Sequence, residues 1–108
     1  MGVVTYLIDE SGTKLRDFPD PIGGRFDSAG DFDRLLTVLD PALTLWPTLD
    51  PYADSVLGSD RMSELLADLN RVAEHARYEI ERRGLNRLRV LAERCANDPS
   101  LSLLFEGD

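Results

Sequence analysis

Histidine and cysteine are nearly absent from this chain of 108 residues, in which His75 and Cys95 each stand alone. A single cysteine excludes an internal disulfide, and one histidine with one cysteine falls short of the four ligands of a structural zinc site. Acid–base and nucleophilic chemistry most often rests on a histidine held beside its nucleophile. His75, close to the apolar Ala73 and Ala76 within a helical pattern, reads as a boundary residue, and Cys95, on an apolar stripe, as a small buried thiol. No catalytic set and no cofactor is expected, so the chain reads as a non-enzyme.

Long apolar runs are missing too. No segment approaches the roughly 18 apolar residues of a membrane span, so no membrane partner is expected. The opening Met1 to Ile8 lacks the charged start and the length of a secretion leader, and Tyr6 stands where a myristoylation signal needs Ser or Thr. The expected location is the cytoplasm. Bases are scarce, with twelve Lys and Arg against twenty Asp and Glu, a net charge of −8. Nucleic acid is therefore an unsuitable partner, because its phosphates must be neutralised by Lys and Arg. The imbalance is uneven: residues 1–60 hold eleven acids and four bases, whereas residues 61–108 hold nine and eight. The acidic field belongs to the first half, where it supplies solubility in any case and can steer a basic protein toward the chain.

What remains is the composition of an ordinary folded domain, 43% hydrophobic and 30% charged. A body of this size buries a real core without staples, and a single domain over 1–108 is expected. The clearest pattern runs from Asp60 to Ala96. Met62, Leu65, Leu66, Leu69, Val72, Ala73, Ala76 and Ile80 recur at three- and four-residue steps, with Glu64, Asp68, Arg71, Glu74 and Arg77 between them. That is an amphipathic helix, with Ser59 or Asp60 placed to cap its start. Gly84 predicts a break, and Leu88, Leu91, Ala92 and Cys95 a second helix from about Leu85 that Asn97-Asp98-Pro99 ends.

Val3 to Ile8, apolar on both faces and rich in β-branched residues, predicts a buried central strand. Asp9-Glu10-Ser11-Gly12 is turn chemistry, so Thr13 to Phe18 is expected to return as a hairpin partner. Pro19, Pro21, Gly23 and Gly24 predict a loop over residues 19–27. Ser28 with Asp31 three residues on fits a capping pattern, and Phe32, Leu35, Leu36 and Leu39 then trace a short helix that Asp40-Pro41 stops. Ala42 to Trp46 and Asp54 to Leu57 read as short strands, and Leu101 to Glu106 as a C-terminal strand. The expected fold is α+β: a small, mainly antiparallel sheet with the N-terminal strand central and the C-terminal strand joining it, and three helices packed on one face.

One stretch gathers the candidate binding residues. Trp46, Asp50, Tyr52, Asp54 and Asp60 lie in a Pro- and Gly-punctuated segment, and Trp and Tyr are over-represented at protein interfaces. Oxygen ligands from Asp50, Asp54 and Asp60 could hold a divalent ion, but the spacing is not that of a calcium-binding loop. Turn initiation by Asp50 and Asp54 and helix capping by Asp60 account for the same acids without a metal, and none is expected.

Leu49-Asp50-Pro51-Tyr52-Ala53-Asp54-Ser55-Val56, Glu93-Arg94-Cys95 and the closing Leu103-Leu104-Phe105-Glu106-Gly107-Asp108 together resemble a group of small single-domain bacterial proteins with no assigned activity. Ala53, where the group is associated with Gly, departs from the pattern. The resemblance covers most of residues 43–108 and implies a bacterial single-domain protein without implying a function. Size and charge pattern are also similar to those of immunity proteins that neutralise nuclease toxins through an acidic face, a likeness of class and not of motif. The leading expectation is an interaction protein of immunity or antitoxin type with a basic protein partner. A second is a self-associating or accessory subunit, in which Arg82, Arg83, Arg87 and Arg89 meet the acidic half of another copy. A third is a carboxylate-based enzyme or metal-binding module.

Overall fold

Leu103 and Phe105 alternate with Ser102, Leu104 and Glu106, and the strand they form has one dry face. It is one of five strands in the computed structural model, which describes residues 2–107. In chain order the elements are β1 (Val4–Ile8), β2 (Phe18–Pro19), β3 (Arg25–Phe26), β4 (Ser55–Gly58), α1 (Met62–Val72), α2 (Glu79–Ala96) and β5 (Ser102–Glu106), with 3₁₀ turns at Asp33–Thr37, Trp46–Thr48, Ser59–Arg61 and Ala73–His75. The fold is α+β with a small antiparallel sheet, as expected.

The strand order is β1-β5-β4, so the C-terminal strand is the central one and the N-terminal strand lies beside it. Val4 faces Glu106 and Ile8 faces Ser102 on one side of the centre. On the other, Ser55 faces Phe105 and Gly58 faces Ser102. The apolar character of β1 on both faces has another cause than a central place in the ladder. Its outer edge is covered by two irregular segments, with Thr5 and Ala29 exchanging both backbone bonds at 2.7 and 3.0 Å and the Leu15 N–H donating to the Leu7 carbonyl at 2.8 Å. The expected hairpin over Thr13 to Phe18 is thus reduced to a bridge between Ile8 and Lys14. Residues 19–27 are not wholly irregular, because Phe18–Pro19 pairs with Arg25–Phe26. Gly23 and Gly24, at φ 111° and 79°, supply the left-handed backbone that closes this two-stranded ladder.

The inner face of the sheet meets α2, which touches β1 and β5, and α1 packs on α2. Leu65, Leu69 and Val72 of α1, Leu88, Leu91 and Ala92 of α2, and Leu7, Leu103 and Phe105 of the sheet belong to one continuous core. Two α-helices are present, not three. The segment expected to form the first is a 3₁₀ turn, because Asp31 sits at φ 66° and so cannot lie in the first turn of a helix begun at Ser28. The strand expected over Ala42 to Trp46 is likewise a turn leading into Trp46–Thr48. Asp54 to Leu57 does yield β4. α1 starts from the 3₁₀ turn without a side-chain cap, and the Ser59 hydroxyl instead donates to the Ala96 carbonyl at 3.4 Å, tying the start of α1 to the end of α2.

The break between the helices falls at Ala76–Tyr78, where the backbone turns extended, and not at Gly84. The Glu81 carboxylate fixes it by accepting the N–H groups of Arg77 and Tyr78 at 2.9 and 3.2 Å. Ile80 consequently leaves the stripe expected of it and is exposed. Gly84 lies buried inside α2 for a packing reason: a Cβ there would overlap the Gly30 carbonyl oxygen and touch the Phe32 ring. The helix approaches the 28–32 segment too closely for any side chain.

Gly84→Ala therefore sets two effects against each other. Helix propensity favours Ala by about 1 kcal/mol, while overpacking costs about 1–3 kcal/mol. A contact with rigid backbone belongs at the upper end of that range, so the expected outcome is a lower urea midpoint. A midpoint equal to or above the parent's would show that the Gly30 carbonyl can move aside.

Candidate binding surface

Three carboxylates are withdrawn from the surface to hold irregular segments on the helices. Asp68 of α1, 3% exposed, accepts the backbone N–H groups of Thr44, Leu45 and Trp46 at 3.3, 2.8 and 2.8 Å. Glu81 of α2 receives the Arg34 guanidinium through two bonds of 2.7 Å. Asp20, in the turn closing β2 to β3, receives Arg87 of α2 at 2.6 and 2.7 Å and lies 3.6 Å from Arg83. The Arg34 bond, opposed by burial and reinforced by the Arg77 and Tyr78 N–H groups, holds the Glu81 carboxyl down at about 2. For Asp20, burial acts upward, but the Ile22 N–H and the Arg87 and Arg83 charges outweigh it and keep the group below the usual carboxylate range.

These acids were not singled out in the sequence. Asp68 sits one position from Leu69, and a polar residue bordering an apolar stripe is the one signal that could have marked it. Trp46 belongs to the same arrangement. It is fully buried, its indole N–H donates to the Leu35 carbonyl at 2.9 Å, and its ring lies 5.7 Å from that of Phe32. Trp46 is therefore a core residue and drops out of the candidate interface, because the Asp68 anchor draws its backbone inward.

The other four candidates lie at the surface. Tyr52 is 81% exposed and Val56, on β4, is 59% exposed. Asp50, Asp54 and Asp60 are exposed as well. Asp50 accepts the Tyr52 N–H at 2.8 Å, which makes it a turn former, and Asp54 accepts the Gly107 N–H at 2.9 Å. Asp60 places a carboxylate oxygen 2.9 Å from where a Cβ on Gly58 would stand. Asp54 and Asp60 thus bracket β4, one at each end. Among the described residues no group of three or more His, Cys, Asp or Glu side chains is placed to hold a metal ion.

The outer face of the sheet adds an apolar row, because Tyr6, Leu104 and Val56 stand opposite one another across the three strands. The Lys14 ammonium lies 4.0 Å from the centre of the Tyr6 ring and 3.1 Å from Glu106, covering the far end of that row.

No family model, curated protein or solved structure matches this chain. The geometry has to speak for itself.

Reactive chemistry finds little footing in the side chains that could carry it. The Cys95 thiol is buried and donates to the Leu101 carbonyl at 3.4 Å. Burial, with Asp98 and Asp60 nearby, pushes it up to about 11, so it is a neutral thiol at physiological pH. His75 is half exposed, with Nε2 3.9 Å from the Asp40 carboxylate, which is itself held by Arg71 at 3.0 Å. An open polar hollow of about 350 Å³ beside β1 is lined in part by Asp31, Asp33 and Arg87. Arg87 is already bonded to Asp20, and Asp33 accepts the Val3 N–H at 2.6 Å. No helix of the described residues is long and apolar enough to cross a membrane.

Two measurements follow. Trp46 emission should be blue and shielded from acrylamide, and red, quenchable emission would contradict its burial. Glu81 titrates below its ordinary value of 4.5 in the fold, so its contribution is fully present above about 4.5 and fades as the pH falls toward about 2. Urea unfolding of the parent and of Glu81→Gln should accordingly converge as the pH drops through that window. A gap that stays constant would mean that the carboxylate's charge is not what matters.

Proposed function

We propose that this chain is a non-enzymatic interaction protein of immunity or antitoxin type, whose acidic surface binds a basic protein partner. The observation that carries this reading is how the charges are used. Eight of the twelve bases, Lys14, Arg16, Arg25, Arg34, Arg61, Arg71, Arg83 and Arg87, sit in ion pairs within the chain. Asp50, Asp54 and Asp60 are exposed and have no such partner among the described residues. Local positive charge is largely cancelled, and the net negative charge is presented around an exposed aromatic, Tyr52.

Self-association through Arg82, Arg83, Arg87 and Arg89 has less support, since Arg83 and Arg87 are turned toward Asp20. Two copies that each carry −8 also repel.

The products of adjacent genes are the first partners to test. Raising the salt from about 0.01 M to about 0.15 M, which shortens the Debye length from about 30 Å to about 8 Å, is expected to slow association about tenfold. The substitutions Asp50→Asn, Asp54→Asn and Asp60→Asn should each slow it further while leaving the fold intact. A rate indifferent to salt overturns the electrostatic part of the reading, and a partner whose activity the bound chain does not inhibit overturns the inhibitor part.

A further inference from the structure

The two outer strands of the sheet are treated differently. β1 has its free side covered by the Ala29 and Leu15 segments through backbone bonds. β4 pairs with β5 alone, and among the described residues no backbone or side-chain group bonds to its other side. In an antiparallel ladder every second residue directs its N–H and C=O away from the neighbour, so the four residues of β4 present two such pairs of groups to solvent. Natural edges are commonly blocked by lysine, proline, a bulge or a covering segment. Ser55-Val56-Leu57-Gly58 has no lysine and no proline, and its register against β5 runs without interruption.

We infer that the open edge of β4 accepts an extended segment of the basic partner as a fourth strand of the sheet. The proposal rests on the acidic-surface reading above and names its docking mode. Charge selects the occupant. The strand is uncharged over about 13 Å, with the Asp54 carboxylate at one end, the Asp60 carboxylate at the other, and Asp50 further back on the Asp54 side. The nearest base, Arg61, is engaged with Glu64 at 3.1 Å. An incoming strand with an uncharged middle and Lys or Arg at each end satisfies the edge and both carboxylates together. A second copy would instead bring like acids to the same place. Val56 extends the apolar row of Tyr6 and Leu104 to the edge, so an apolar side chain on the incoming strand finds a neighbour on the outer face. Main-chain bonding then supplies attachment, and the end charges supply choice.

The test uses the full chain and a synthetic peptide, Lys-Lys-Val-Thr-Val-Lys-Lys, with a second peptide carrying Glu in place of Lys. Amide chemical shifts and hydrogen exchange report where each one binds. The expected result is a change confined to residues 54–60, with slowed exchange at the outward β4 amides and weak or no binding of the Glu peptide. Asp54→Asn and Asp60→Asn, in which the amide oxygen can still accept the bonds of the parent, should each weaken binding about two- to five-fold. Val56→Lys, at an exposed position, should weaken it about tenfold or more, and buried Trp46 emission verifies that each variant is folded. Absence of binding, or changes at other acids such as Asp17 to Asp33 with β4 silent, overturns the edge while the acidic-surface reading stands. Equal binding of both peptides at β4 overturns the choice of a basic occupant, and with it the reading on which the proposal rests.

Discussion

Irregular backbone between residues 20 and 49 is held in place by carboxylates projecting from α1 and by arginines that meet carboxylates on α2. Asp68 gathers three successive N–H groups that no regular element satisfies, and leaving even one buried donor unpaired would cost about 1–3 kcal/mol. Glu81 serves two masters, the Arg34 guanidinium and the first N–H groups of its own helix. Such buried pairs add little when compared with an apolar replacement, but removing one partner alone costs about 3–5 kcal/mol. The position of Trp46, the break before α2 and the route of the 28–38 segment all follow from these few contacts. The arrangement also explains why an acidic chain keeps its arginines: most of them are structural.

Some of this was legible in the residues, and physical reasons separate what was from what was not. Periodicity exposed the inward faces of α1 and α2, of β1 and of β5, because burial on one side imposes a repeat that a single sequence displays. It could not rank the strands, since a strand covered by loops and a strand flanked by two others show the same apolar character. That is why β1 was expected at the centre of the sheet that β5 occupies. Gly84 was read as a break because propensity is local, whereas the approach of Gly30 that demands a glycine comes from a segment more than fifty positions away. The pattern from Ser28 to Asp31 matched a helix start, but the left-handed conformation of Asp31 belongs to a segment constrained by β1 on one side and Arg34 on the other.

The candidate surface shows the same division. Asp50, Tyr52, Asp54 and Asp60 were identifiable by type and by their turn-rich setting, and all four lie outside the core. Trp46 was grouped with them because proximity in sequence was the only guide, and the Asp68 anchor carries it the other way. The open side of β4 had no signal at all. An edge is defined by what fails to pair with it, and pairing partners in this sheet are separated by up to about a hundred positions.

That separation has a kinetic consequence. β1 and β4 never touch, and each is joined to the sheet only through β5, so Val4 must find Glu106 and Ser55 must find Phe105 before either gains a ladder. Closing loops of that size is entropically slow, while the contacts between α1 and α2 are local. The helical pair is thus placed to assemble first and to offer the apolar face on which β5 settles. Until then the chain carries strand-forming segments with unmatched backbone, and it is in that interval, before the fold is complete, that its surplus of negative charge does most to keep separate molecules apart.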